Sequence, residues 1–306
     1  MADFVRLGII GDWGNRYKTM RFETEANIIR SLGKIVENGH LVKGYKPVYW
    51  SVVGASALAE AEDEYQDKTS NSIDVRYRVV DQDVWNTAFG CNTDLPISVV
   101  IWTTTPWTLP SSQAVSVHAE LDYVLVQVNG ECQVFAKDLL AQAMQRYGIE
   151  DYQVLGEAKG QVLERFAVQH PFIEGFQVPV ILGDHVTTEA GTGNVHTAPD
   201  HGVDDFNVGR AYGIDTLNLV DDNGVYVDAA GEFAGAHVYK VDDQVIEALK
   251  AHNNLVFQTK ITHSYAHCWR TKTPLIYRAT PQWFISMSEN GLLEKALDAV
   301  KQVAWH

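Results

Sequence analysis

From Lys46 onward the chain is a succession of short runs rich in Val, Ile, Tyr and Trp, separated by turn residues. Such runs predict β-strands, and so many of them predict a closed or nearly closed barrel within a mixed α/β region. Asn129-Gly130 is the strongest hairpin signal, because both positions of its turn need a positive φ. The predicted strands are 47–53, 73–80, 97–103, 122–128, 132–136, 161–168, 178–182, 217–220, 224–228 and 255–261.

Helical spacing of apolar residues appears at both ends of this region and interrupts it three times. The first helix is expected before Gly39, with Glu25 in an acidic first turn, and the last at about 291–303. The internal helices are predicted near 140–147, 203–212 and 241–249.

Composition disfavours several classes of protein. A chain of 306 residues with 46% apolar residues can bury one large core or two. A net charge of −15, from 24 basic and 39 acidic residues, disfavours a nucleic-acid binder that relies on a broad basic patch. The widely spaced Cys91, Cys132 and Cys268 allow neither a disulfide framework nor a closed four-cysteine zinc site, which fits a reducing, cytoplasmic compartment. We expect no signal peptide, no transmembrane helix and no membrane partner.

Charge is distributed unevenly along the chain. Residues 181–235 hold ten acidic residues and one basic residue, Arg210. Such a stretch is usually a solvated face, but it could also receive a cationic group such as a free amine. The segment 263–278 is basic and aromatic, and it is the best local candidate for a phosphate contact.

Two stretches could carry chemistry. In the first, Ile101–Pro110, an apolar strand runs into three threonines and a proline. Threonine hydroxyls both donate and accept, so a row of them at the end of a strand can hold a water molecule or a substrate oxygen. Pro106 favours an extended Thr105 and stiffens the turn. Threonine is also an ordinary strand residue, and this segment alone does not establish a site.

The second stretch runs from Gly191 to Asp205 and contains three glycines, His196, His201 and three carboxylates. Its glycines let the backbone turn or approach a ligand closely. Asp205 lies in the first turn of the next predicted helix, where the free N–H groups favour a negative charge.

Three interpretations of this stretch compete. The residues alone favour a structural loop whose acids cap the next helix. A hydrolytic site comes second, with His196 orienting or polarising water and Asp205 holding a substrate amine. A metal site of His196, His201 and Asp205 comes third, because Pro199 and Gly202 do not place two histidines on one helix face.

Taken together, the two stretches resemble the signature peptides of the editing domain of bacterial isoleucyl-tRNA synthetases, and Trp107-Thr108-Leu109 favours the isoleucine enzymes over their valine and leucine relatives. Further stretches that resemble this family are Gly11–Trp13, Ala57–Glu62 and Arg278–Met287, so the resemblance extends over nearly the whole chain.

This resemblance implies a fold and a reaction. It implies a β-barrel-like editing (connective peptide) domain over residues 46–279, flanked by helical and irregular pieces of a class I, Rossmann-type catalytic domain at 1–45 and 280–306. The domain would hydrolyse valine mistakenly joined to isoleucine tRNA. One missing methylene supplies only about 1–3 kcal/mol of discrimination, so a second site must remove the errors.

Site residues follow from the resemblance position by position. The implied catalytic residues are Asp205, His196 and Thr105. Asp205 would bind the substrate ammonium, and His196 would shape the pocket and exclude isoleucine. The implied substrate-binding residues are Trp102, Thr103, Thr104, Thr108, Ser112, Gly191 and His201.

The resemblance also implies partners and cofactors. The partners would be the acceptor end of tRNA(Ile) carrying valine and the remainder of the synthetase, and the protein would be a monomer. The family's two ATP-binding signatures do not occur in this sequence, so ATP and Mg would belong to the full-length parent and no cofactor to this chain.

This sequence departs from the family at several positions. The family often has four zinc-binding cysteines, and only one of them, Cys268, is present here. The other three positions hold Ser51, Gly54 and Thr271, and we therefore expect no metal site. Ser112 replaces a common asparagine, and Asp200 a usual glycine.

Overall fold

The computed structural model describes residues 1–305 and divides the chain into two compact units. One unit comprises Met1–Tyr45 and the segment from Pro281 onward, and the other comprises Lys46–Thr280. Strands β1 (Leu41–Ser51) and β13 (Ile276–Ile285) run through the two boundaries. Among the described residues, no helix has the length and apolar character needed to span a membrane.

The first unit is mainly helical. It contains α1 (Ala2–Arg6), α2 (Phe22–Glu37), a 3-10 turn (Glu289–Gly291) and α7 (Leu292–Gln302). Helix α2 confirms the predicted first helix, and the chain leaves it through Gly39, whose φ is 74°. Neither α2 nor α7 buries a residue, so the apolar faces of both amphipathic helices are exposed.

The second unit is built on a six-stranded sheet with the order β12-β3-β4-β7-β6-β8. Its long antiparallel ladder pairs β3 with β12. The predicted hairpin is confirmed, because Val128 faces Glu131 and both Asn129 and Gly130 have positive φ. The strands are β3 (Asp63–Arg78), β4 (Ile97–Thr103), β6 (Asp122–Val128), β7 (Glu131–Ala136), β8 (Gln153–Lys159) and β12 (Leu255–Cys268).

A second sheet has four strands in the order β11-β5-β10-β9, with β5 and β10 parallel. They are β5 (Ala114–Val117), β9 (Ala167–Gln169), β10 (Gln177–Leu182) and β11 (Val195–Thr197). A third, three-stranded sheet has the order β13-β1-β2, where β2 is Ser56–Ala57.

Helices connect the strands. The α-helices of this unit are α3 (Gln82–Phe89), α4 (Lys137–Tyr147), α5 (Val203–Ala211) and α6 (Asp242–Ala251). Its 3-10 helices are Glu60–Glu62, Pro106–Ser111, Gly160–Leu163 and Asp228–Phe233.

The mixed α/β class is confirmed, but the expectation of a closed barrel is wrong. The described strands pair as three open sheets. After β4 the 3-10 helix Pro106–Ser111 takes the chain out of the six-stranded sheet. The next strand, β5, therefore belongs to the second sheet, where it pairs with β10 and β11. An isolated bridge between Val79 and Val168 joins the two larger sheets locally.

Three predicted strands are also wrong. The segment 161–168 begins with the last three residues of a 3-10 helix (Gly160–Leu163), Arg165 has a φ of 68°, and strand pairing begins only at Ala167. The segments 217–220 and 224–228 form only isolated bridges, which pair Val220 with Tyr226 and Val225 with His237. The turn at Asp221–Gly224 lies between the two segments, and they are too short to form a regular pair of strands.

One large core lies between the sheets and α6, and the 3-10 helix Pro106–Ser111 lies inside it. All six residues of this helix are buried. Trp107 and Leu109 belong to the same apolar cluster as Ile73 of β3, Val115 of β5 and Val245 of α6. The threonine stretch is thus held between both larger sheets and a helix.

Candidate active site

Proline starts the short helix that carries the threonines. Strand β4 ends at Thr103, Thr105 precedes the helix, and Pro106 occupies its first position. A proline is suited to this position because its φ is fixed near the helical value and its missing N–H would have no helical acceptor there. The Thr108 N–H donates to the Thr105 carbonyl at 3.0 Å and closes the first turn.

Four side chains of the two predicted stretches form a continuous polar chain. Thr103 Oγ1 lies 3.2 Å from Thr105 Oγ1, which lies 3.4 Å from Thr108 Oγ1. Thr108 Oγ1 lies in turn 3.1 Å from His196 Nε2. The structure thus brings together Thr103, Thr105, Thr108 and His196.

The protonation of His196 follows from its partners. The Thr108 hydroxyl donates to the Thr105 carbonyl at 2.9 Å, so its oxygen accepts from the Nε2–H of His196. The Nδ1 atom is then a bare acceptor, buried without a hydrogen-bond partner. Burial, reinforced by the nearby His170 and His201, lowers the pKa of His196 to about 3. The ring is therefore neutral at pH 7 and a weak base.

His201 is also neutral, but it is bonded differently. Its Nδ1–H donates to the Tyr277 carbonyl at 2.9 Å, which leaves Nε2 to accept from the Ser111 hydroxyl at 3.3 Å. Its ring meets Trp107 edge to face, with centroids 4.8 Å apart. Burial lowers the pKa of His201 to about 4.

A cavity of about 260 Å³ opens beside these groups. Thr105, Trp107, Thr108 and His201 form one side of it. The rest of the lining was not predicted and is largely aromatic: Tyr49, Tyr65, Ser264, Tyr265, Ala266, Leu275 and Tyr277. Tyr49 and Tyr277 stack with centroids 4.4 Å apart. A pocket with aromatic walls and a few convergent polar groups is a typical small-molecule site.

A second, larger cavity of about 500 Å³ shares Trp107 and Tyr265 with the first. Thr104 lines this cavity and not the smaller one. Its charged residues are Lys68, Asp242 and Lys260, none of which was predicted. No short motif contains these residues, because strands β3 and β12 and helix α6 supply them from distant parts of the sequence.

Gly191 and Gly193, the first two glycines of the second stretch, lie very close to other parts of the protein. A Cβ on Gly191 would lie 2.9 Å from the Trp102 ring, and one on Gly193 would lie 2.2 Å from the Ala136 Cβ. Both have positive φ, 85° and 76°. Trp102 also donates its indole N–H to Ser72 Oγ at 2.8 Å, so Trp102 and Gly191 support the site from outside either cavity.

Asp205 and Ser112 also lie outside both cavities. Asp205, in the first turn of α5, accepts the Ala198 N–H at 2.8 Å through Oδ2. Burial raises the pKa of Asp205 to about 6, so it is mainly ionised at pH 7. Ser112 is fully buried and accepts the Tyr77 hydroxyl at 2.8 Å.

The four positions at which the resemblance implies zinc-binding cysteines do come together. Ser51, Gly54, Cys268 and Thr271 line one cavity of about 230 Å³. Their side chains offer one thiol and two hydroxyls, which do not fit a structural zinc site of four strong donors. Ser51 Oγ instead accepts the Gly54 N–H at 3.1 Å. Among the side chains that the structure describes, no group of three or more His, Cys, Asp or Glu could hold a metal ion.

The predicted phosphate-contact segment is largely neutralised by acidic neighbours. Arg278 pairs with Asp222 at 2.8 Å, and Lys272 pairs with Glu64 at 2.5 Å. Arg270 lies over the Trp269 ring at 4.9 Å. The basic residues that line the larger cavity are Lys68 and Lys260.

A family model described as tRNA synthetases class I (I, L, M and V) matches residues 1–306. The chain belongs to this family. It is 64% identical over 308 residues to an isoleucine–tRNA ligase of Marinomonas sp. (strain MWYL1), covering 99% of this chain and 33% of that protein. It is 60% identical over 303 residues to an isoleucine–tRNA ligase of Teredinibacter turnerae, covering 99% and 32%. The synthetase chain thus spans about a third of the length of the curated relatives it matches.

A solved structure shows the same fold. The crystal structure of GlLeuRS-CP1 aligns with a TM-score of 0.52 over 61% of this synthetase chain and 98% of that one. The two sequences are 15% identical over the match, so the likeness concerns the fold alone.

Proposed function

We propose that this chain hydrolyses valine from mischarged tRNA(Ile), as the post-transfer editing part of an isoleucyl-tRNA synthetase. The observation that carries the proposal is the polar chain Thr103–Thr105–Thr108–His196, in which Thr105 and Thr108 line a cavity of amino-acid size while Thr103 and His196 lie behind them, outside both cavities. The chain's place among the class I tRNA synthetases and its identity to isoleucine–tRNA ligases support the choice of substrate.

The reaction uses water as the nucleophile. The water oxygen attacks the ester carbonyl carbon, the bond from that carbon to the ribose oxygen breaks, and the ribose oxygen receives the proton that water gives up. Thr105 and Thr108 line the cavity, and in the proposed reaction their hydroxyls place the water and the ester oxygens. His196 is neutral at pH 7, so it orients Thr108 rather than accepting the proton.

In this proposal Asp205 supplies the charge that attracts the substrate's α-ammonium group, although its carboxylate lies outside both cavities. It is mainly ionised at pH 7, and no basic side chain pairs with it among the described residues. Residues 181–235 include ten acidic residues and one basic residue, so this region is negatively charged and attracts a cationic amine.

The remaining partners and cofactors belong to the same proposal. ATP and Mg serve amino-acid activation in the parent enzyme, because the sequence holds neither ATP signature. The exposed apolar faces of α2 and α7 suit packing against further parts of a synthetase, since the curated relatives are about three times longer. We also propose that the protein acts as a monomer in the cytoplasm.

A metal-dependent hydrolase is not favoured by the contacts. His196, His201 and Asp205 each bond a different partner, namely Thr108, the Tyr277 carbonyl and the Ala198 N–H. They do not converge on one point as metal ligands must.

Deacylation of valyl-tRNA(Ile), with and without a zinc chelator, tests the proposal. Hydrolysis that resists the chelator is the expected result. Chelator-sensitive hydrolysis would favour a metal-dependent enzyme, and tRNA binding without turnover would favour a module that only holds the acceptor end. Either of these results would overturn the proposal.

A further inference from the structure

The carbonyl of Trp107 has no donor within its own helix. In a 3-10 helix each carbonyl accepts the N–H of the residue three positions later. Three positions after Trp107 stands Pro110, which has no N–H. Trp107 is only 7% exposed, and a buried carbonyl without a partner is unfavourable. This carbonyl therefore needs a donor from another part of the chain.

That donor is the hydroxyl of Tyr226, which lies 119 positions further along the chain. Tyr226 is 2% exposed, and its side chain belongs to the same apolar cluster as Trp107. Its backbone is fixed on both sides, because its N–H donates to the Ala236 carbonyl at 2.9 Å and its carbonyl accepts the Gly235 N–H at 2.9 Å. The donor is thus itself held in place.

The bond acts on the peptide group that joins Trp107 to Thr108. On one side of this group the carbonyl accepts the Tyr226 hydroxyl, and on the other side the Thr108 N–H donates to the Thr105 carbonyl at 3.0 Å. A peptide group is planar, so bonds at both of its ends fix its orientation. That orientation sets the direction in which the Thr108 side chain leaves the backbone, and Thr108 Oγ1 lies 3.1 Å from His196 Nε2.

We infer that Tyr226 is a positioning residue for editing, whose hydroxyl orients the Trp107–Thr108 peptide group and so keeps Thr108 on the wall of the smaller cavity. The inference rests on the proposed function. Tyr226 lines neither of the two cavities, so it contacts no reacting atom in this scheme and acts through the backbone of the threonine stretch. A displacement of about 1 Å can lower a rate about a hundredfold, so a hydroxyl remote from the substrate can still affect catalysis.

Tyr226→Phe tests the inference, because it removes the hydroxyl and keeps the ring. We expect kcat for valyl-tRNA(Ile) to fall about tenfold while KM changes less than about twofold. Tyr147→Phe is the matched control, since the Tyr147 hydroxyl donates to Asp74 at 2.8 Å and its ring packs against a separate apolar cluster. This control should remain within about twofold of wild type in both parameters.

Carbonyl NMR observes the contact without any measurement of activity. Only two of the eight tryptophans, Trp102 and Trp107, precede a threonine, so protein labelled with ¹³C in the tryptophan carbonyls and ¹⁵N in threonine gives two one-bond correlations. Loss of a hydrogen bond moves the resonance of the accepting carbonyl carbon upfield. Tyr226→Phe should therefore move the Trp107 resonance upfield and leave that of Trp102 in place, and Tyr147→Phe should move neither.

A second variant returns a donor to the Trp107 carbonyl. Pro110→Ala gives residue 110 an N–H at the position from which a 3-10 helix bonds this carbonyl. Added to Tyr226→Phe, it should restore kcat to within about threefold of wild type, also if Tyr226→Phe alone does not fold. Failure of this double variant to fold or to regain that rate would mean that Tyr226 supports the fold in another way, and would overturn the inference.

Two further results would also overturn it. One is a kcat in Tyr226→Phe equal to that in Tyr147→Phe, and the other is a Trp107 resonance that does not move. Either result with an active wild type contradicts the inference alone. If wild type does not hydrolyse the ester, the proposed function fails together with this role, while the Trp107 resonance still shows whether Tyr226 holds the peptide group.

Discussion

Thr108 Oγ1 and His196 Nε2 lie 3.1 Å apart although 88 positions separate them in the chain. Strand pairing brings them together, since His196 of β11 faces Val115 of β5, and β5 follows the 3-10 helix that carries Thr108. The contact joins the two stretches that the sequence singles out. The hydrogen-bond partner of His196 Nε2 is therefore a hydroxyl group rather than a metal ion or a carboxylate.

Replacing His196 should widen the range of esters that are hydrolysed rather than abolish hydrolysis. His196→Ala removes the ring behind Thr108 and enlarges the space near the cavity, so isoleucyl-tRNA(Ile) should become a substrate alongside valyl-tRNA(Ile). His196→Gln, which keeps a donor for Thr108, is the matched control and should discriminate better than His196→Ala. Since the pKa of His196 is about 3, the wild-type rate should show no inflection from this ring between pH 5 and 8. Loss of activity on both esters would indicate a proton-transfer role instead.

Asp205 should be essential through its charge. Asp205→Ala should lower valyl-tRNA(Ile) deacylation about a hundredfold, and Asp205→Asn nearly as much, although the amide can still accept the Ala198 N–H. Because the pKa of Asp205 is about 6, the wild-type rate should fall as pH decreases through that value. Asp204→Ala, in the same helical turn, is the control. A wild-type rate in Asp205→Asn would show that Asp205 serves only to accept the Ala198 N–H.

Local sequence patterns predict some of this fold well. The apolar runs at 97–103 and 122–128 match β4 and β6 at both ends, and Asn129-Gly130 forms the hairpin. Helix α3 was missed although Asp81 caps it by accepting the N–H groups of Asp83 and Val84. Periodicity cannot reveal which strands pair, and this is why a barrel was expected where the chain forms open sheets.

The same limit applies to the site. The threonine and histidine stretches are recognisable by their motifs, and the structure joins them. The tyrosine walls of the cavity come from β1, β3, β12 and β13, and each tyrosine is ordinary within its own strand. Asp242 was likewise predicted only as part of the first turn of a helix, because its place on the wall of the larger cavity depends on tertiary packing.

Asp200 should make stability depend on pH. It is 1% exposed, and burial raises its pKa from 3.8 to about 6. A raised carboxyl pKa means that the folded state prefers the protonated form, so the free energy of unfolding falls as pH rises from about 4 to about 6. Asp200→Asn removes this loss and should be about 1–3 kcal/mol more stable than wild type at pH 7.5, with little difference at pH 4. Urea denaturation at both values tests this. An equal difference at the two pH values would contradict it.

Zinc should not bind in stoichiometric amounts to the wild-type protein. Ser51, Gly54 and Thr271 share a cavity with Cys268, so the triple change Ser51→Cys, Gly54→Cys and Thr271→Cys should create a four-thiolate site that binds one zinc ion per chain. Metal analysis of tag-free protein after dialysis compares the two. About one zinc ion per wild-type chain would contradict this prediction.

The most direct test of the account is the single-turnover rate of valyl-tRNA(Ile) deacylation by wild type and by Thr108→Val. The valine keeps the shape of the side chain and removes only the hydroxyl that connects Thr105 to His196. Ser116→Ala, which removes a buried hydroxyl bonded to Thr197, is the control. We expect wild type and Ser116→Ala to hydrolyse the valyl ester within about twofold of each other and Thr108→Val to be at least about tenfold slower. A Thr108→Val rate equal to that of wild type, or no hydrolysis by wild type, would contradict the account.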